Sequence, residues 1–135
     1  MGVPITRLEG MNDTLEAAFK AAGISNSDQL LEAAATPAQR KDLAAKVSTD
    51  TRAMLELANR ADLSRVKGVA GVYSDLLEQA GVDTVKELAT RRPDNLHKKI
   101  LETNEASKAT GKPPTEAMVQ DWVAQAKELP KMLQY

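Results

Sequence analysis

Few side chains in this sequence could do chemistry. His97 is the only histidine, and it stands in the most basic local run, Arg91-Arg92 followed by His97-Lys98-Lys99. An imidazole becomes a general base or a metal ligand when a nucleophile or a second ligand is fixed beside it. No serine, cysteine or paired ligand is spaced for that here. The chain has no cysteine, so disulfides, thiolate zinc sites and a cysteine nucleophile are all excluded. Ala109-Thr110-Gly111-Lys112-Pro113 carries the Gly-Lys of a phosphate loop. It lacks the first glycine, the hydroxyl residue after the lysine and a preceding strand. Carboxylates are scattered without calcium or zinc spacing, and there is no nucleophile elbow or dinucleotide fingerprint. The expectation is a protein that is not an enzyme, with no cofactor, no metal and no small-molecule substrate.

The bulk composition narrows the class. At 135 residues the chain is the size of one domain, with 42% hydrophobic residues but only 3% aromatic. Leu, Val, Ile, Met and Ala must therefore fill the core, which suits closely packed helices. The net charge of −1 and pI near 5.9 lack the basic excess of a dedicated nucleic-acid domain, although a local patch can suffice. No stretch approaches the roughly 20 apolar residues of a membrane span. Met1 to Arg7 shows no secretory pattern, so a cytoplasmic location is expected.

Apolar residues recur at helical spacing almost throughout, and no strand is expected. Stripes run through Leu15 to Ala22, Leu30 to Ala35, Met54 to Ala61, Val72 to Ala80, Val85 to Ala89, Leu96 to Leu101, and Met118 to Leu129. Thr36-Pro37 reads as an N-cap with proline at the first helical position, opening a helix through Leu43 to Val47. Ser48 is the expected cap of a helix reaching toward Val66, Asp83 of the next short helix, and Thr115 of the last. Asn104 to Pro114 reads as a loop, and Pro130 ends the final helix. Trp122 lies on the inward stripe.

The stripes repeat. A shift of 58 residues lays Ile5–Leu31 over Leu63–Ala89, matching Arg7 with Arg65, Gly10 with Gly68, Gly23 with Gly81 and Leu30 with Leu88. Seven residues inserted in the Asn104–Pro114 loop then bring Leu57 over Trp122 and Ala61 over Ala126. The chain reads as a single helical domain over 1–135 built by tandem duplication. Unit 1 covers about 5–62, unit 2 about 63–129, and a short C-terminal tail 130–135. About sixty residues bury little surface alone, so the two units are expected to share one core.

Each unit carries a glycine turn, then a helix, then a second glycine. In unit 2 these are Gly68 and Gly81, with Val69 packed inside the turn. In unit 1 they are Gly10 and Gly23. Glycine at these places reverses the chain through positive φ. The pattern looks like a helix–hairpin–helix motif. With the Asp83–Leu88 segment and the Trp122 helix, the chain resembles a bacterial family of tandem helix–hairpin–helix proteins described as a domain of unknown function. The implied fold is all-α, a SAM-like tandem helix–hairpin–helix domain.

As a class, helix–hairpin–helix proteins grip nucleic-acid backbones, and the resemblance implies how. Hairpin amides and the start of the second helix offer N–H groups and partial positive charge to phosphate, with Lys or Arg adding salt-dependent attraction. The residues so implicated are Arg65, Lys67, Gly68, Val69, Ala70 and Gly71, supported by Lys98 and Lys99. Both hairpins depart from the usual Gly-apolar-Gly. The first is flanked by Glu9 and Asp13, the second by Arg65 and Lys67. Residues 1–62 carry 7 basic and 9 acidic side chains, and residues 63–135 carry 11 and 10. Two expectations follow for a non-catalytic binding module. One is protein interaction or self-association. The other is weak, sequence-independent nucleic-acid binding through the second hairpin.

Overall fold

The computed structural model of the chain describes residues 3–8, 10–69 and 72–134. After a 3-10 turn at Ile5–Arg7 come α1 (Asp13–Ala21), α2 (Ser27–Ala33), α3 (Pro37–Lys46), α4 (Thr51–Leu63), α5 (Val72–Gln79), α6 (Val85–Ala89), α7 (Pro93–Ser107) and α8 (Glu116–Glu128). The described residues contain no strand. An isolated antiparallel bridge joins Pro4 to Asn26.

Local chemistry sets most of the boundaries. Thr36 closes a reciprocal capping box with Gln39, and Pro37 occupies the first turn of α3 as expected. Thr115 caps α8 by accepting from the Met118 amide. Two expected caps are corrected. Asp50, not Ser48, caps α4 through the Ala53 amide at 2.7 Å. Ser48 instead takes φ +59 as the chain leaves α3. Thr84, not Asp83, caps α6 through the Glu87 amide at 3.1 Å. The expected loop also begins later, because α7 runs on to Ser107. The Asn104 side chain then staples the loop by bonding both the N–H and the C=O of Thr110 at 3.0 Å.

The repeat is written in the backbone hydrogen bonds. Leu8 N–H donates to Ile5 at 3.1 Å, as Val66 does to Leu63 at 3.0 Å. Ile24 N–H donates to Phe19 at 2.8 Å, as Val82 does to Leu77 at 2.8 Å. Gly10 and Gly68 both stand at φ +93. The seven-residue insertion places α8 over α4, each 13 residues long. Packing follows the same register, with α2 and α3 on α4 in one half, and α6 and α7 on α8 in the other.

The expectation of one shared core is corrected. Buried apolar side chains form two clusters. The first runs from Ile5 to Ala61 and takes in Leu133; the second runs from Leu63 to Ala126. The physical reason lies at the end of α4, where Asn59, Arg60 and Asp62 are all buried. Buried charges need partners, so this stretch builds a polar seam instead of a continuous apolar core. The Arg60 guanidinium pairs with Asp75 at 3.1 Å and with Glu78, both on α5.

Candidate functional site

Gly68, the glycine of the expected second hairpin, stands at φ +93 between the end of α4 and the start of α5. Among the described residues, the Arg65 guanidinium and the amides of Lys67 and Val69 are committed within the chain. Arg65 donates from Nε and Nη2 to Asp62 Oδ1 at 3.1 and 2.7 Å. Its Nη1 donates to the Pro130 carbonyl at 2.7 Å, and its side chain is only 12% exposed. The other oxygen of Asp62 accepts from the Val85 amide at 2.9 Å, holding the start of α6. Lys67 has its amide bonded to Gln125 Oε1 at 2.8 Å and its carbonyl to Gln125 Nε2 at 3.2 Å, while its side chain is exposed. Val69 is fully buried, and its amide donates to the Val66 carbonyl at 3.2 Å. Ala70 and Gly71 lie outside the described residues.

Gly68 is held by packing as well as by φ. A Cβ there would stand 3.2 Å from Trp122 Nε1, whereas one at Gly23, at φ +86, would meet nothing within 4 Å. Gly23→Ala should therefore cost about 1–2 kcal/mol, the ordinary penalty of left-handed backbone. Gly68→Ala should cost more, because the indole must also give way. Urea denaturation of both variants checks this, and equal costs would show that the indole yields freely. The equivalent contact in the first half is Gly10 against Leu57 Cδ2, at 3.6 Å.

Lys98 and Lys99 are exposed on α7. Hollows beside Lys99 are lined by Gln79 and Ala80 at and just beyond the end of α5, by the α6–α7 connection and by α7 itself, and no residue of the Gly68 turn lines them. His97 Nε2 lies 2.9 Å from the Pro114 carbonyl oxygen. That oxygen can only accept, so the imidazole donates there and ties α7 to the loop before α8. Tyr73 rests against Trp122 with ring centroids 5.5 Å apart, and its hydroxyl donates to the Lys112 carbonyl at 2.8 Å. Among the described residues, no group of three His, Asp or Glu is arranged to hold a metal, and no helix is long and apolar enough to cross a membrane.

The segment after α8 is the short C-terminal tail that the sequence sets apart at 130–135. It crosses from the second half back to the first. Leu133 is 2% exposed within the first cluster, and the Gln134 amide donates to the Ala35 carbonyl at 2.8 Å. Arg40, itself buried, donates to the Gln134 carbonyl at 2.6 Å and to the Ala34 carbonyl at 3.0 Å. The apolar pair Met132-Leu133 just beyond Pro130 was the one sequence signal of this return.

Where the segment leaves α8, an open groove of about 320 Å³ forms between it, α6 and α8. Val85, Ala89, Ala126, Leu129 and Met132 give it apolar walls, and the Asp62–Arg65 pair stands at one side. None of these lining residues except Arg65 was expected to belong to a site. They come from three separated stretches, so no local spacing marks them.

The described residues thus define an all-helical protein whose second half repeats the first helix for helix. The chain belongs to the family termed Domain of unknown function (DUF4332), whose model matches residues 9–129. No curated protein and no solved structure matches the chain.

Proposed function

We propose that this chain is a non-catalytic protein-binding module that receives its partner in the groove between α6, α8 and the segment at 129–134. The observation that carries the reading is the groove itself. It is concave and lined mostly by apolar atoms, and its volume reaches the lower end of the range of binding pockets. Met132 stands at its lip, 36% exposed. A photo-crosslinking amino acid in place of Met132, compared with one in place of the exposed Lys20, tests it in cells. Protein adducts are expected from position 132 and not from position 20. Equal yields, or none, would overturn the reading.

The glycine turns related by 58 residues favour a second reading, a helix–hairpin–helix grip on nucleic-acid backbone. It has less support, since Arg65 is paired, Val69 is buried, and the Lys67 amide is bonded to Gln125. The expected result is no binding of labelled duplex or single-stranded DNA at about 50 mM salt. Binding that collapses by about 200 mM, and that is lost in Lys67→Glu, would favour this second reading over the first.

A further inference from the structure

We infer that the groove selects an acidic segment of another protein, one that carries apolar anchors among its carboxylates; this rests on the protein-binding reading above. The argument is charge complementarity around an apolar floor. Lys86 on α6, Lys127 on α8 and Lys131 just beyond Pro130 all line the groove, and all three residues are exposed. None forms a salt bridge with a described residue. The one carboxylate lining the groove, Asp62, is already spent on Arg65 and the Val85 amide. Three ammonium groups without a carboxylate partner among the described residues therefore surround walls formed by Val85, Ala89, Leu129 and Met132.

Each part of this arrangement narrows the occupant. A nucleic-acid backbone would satisfy the lysines but leave the apolar walls facing phosphate and sugar. A flat lipid surface would not enter a concave groove. A peptide presenting Leu or Ile on one side and Asp or Glu beside them answers both, in the manner of amphipathic segments laid into grooves. Rim charges of this kind chiefly set specificity and on-rate, and they are screened by salt. A like-charged partner would be rejected by the same lysines.

The test uses the full chain with three short synthetic peptides: Leu set among Glu, the same peptide with Lys for Glu, and the Glu peptide with Ser for Leu. Fluorescence anisotropy at low salt reads affinity, and amide chemical-shift changes read location. The Leu–Glu peptide is expected to bind tightest and to perturb residues 85–89 and 126–133. The double variant Lys127→Glu, Lys131→Glu should weaken it about tenfold, and circular dichroism should show the fold unchanged. Equal binding of the Leu–Lys peptide, perturbation elsewhere, or no effect of the double variant would each overturn the inference. So would a preference for vesicles of phosphatidylglycerol, or occupation of the groove by a second copy of the chain seen in sedimentation. Specific crosslinking from position 132 without a preference for the acidic peptide overturns the partner chemistry alone, so the two readings fail separately.

Discussion

Trp122→Ala is expected to destabilise the fold by about 3–5 kcal/mol, as loss of a fully packed aromatic does. Trp122 is 2% exposed, lies at the heart of the second cluster, and backs both Gly68 and Tyr73. Because it is the only tryptophan, unfolding must be followed by circular dichroism and not by its fluorescence. Trp122→Leu should recover part of the loss, since Leu57 fills the same place in the first half against Gly10. Hydrogen exchange adds a regional test. Amides packed around the second cluster, such as Leu88 and Ile100, should lose protection before those around the first, such as Leu30 and Leu57. If both halves lose protection together, the clusters act as one cooperative unit and their separation has no energetic meaning.

The second large effect is expected at Asp62, which is 4% exposed and satisfies three donors on two residues. Asp62→Ala strands the nearly buried Arg65 guanidinium and the amide at the start of α6. Removing one partner of such a pair costs about 3–5 kcal/mol. Arg65→Ala should be milder, because Asp62 keeps the Val85 amide. The double variant should cost less than the two single changes together, with a coupling of about 1–3 kcal/mol. Strict additivity in urea denaturation would mean that the pair contributes nothing beyond its separate parts.

What the sequence made legible was whatever recurs. The 58-residue register marked the turn glycines and the helices between them. The seven-residue insertion put α8 on α4 to the residue. The same register held the correction to one cap: Asn26, which caps α2, lies over Thr84 and not over Asp83. Ser48 and Asp50 could not be told apart by type, since both residues cap well. The choice fell to Asp50 because Ser48 is used in the left-handed exit from α3. The polar seam and the groove were illegible for a different reason. Asp62 reaching the Val85 amide, Gln125 reaching Lys67, and Arg40 reaching Gln134 join residues 23, 58 and 94 apart. Periodicity speaks only of neighbours on one helix. For Arg65 the two partners differ in this respect: Asp62 is three residues away and within reach of sequence spacing, whereas the Pro130 carbonyl is 65 residues away and is not.

The return of Leu133 into the first cluster has a consequence for how the protein comes into being. A ribosome releases residues 5–61 long before it adds Leu133, so the first half emerges with an apolar pocket still unfilled and Arg40 still lacking the Gln134 carbonyl. Domains made from the N-terminus onward can normally settle as they appear. Here the half that is translated first is the half that must wait. Its last contacts close only once the other half has been made and has carried the chain back to it.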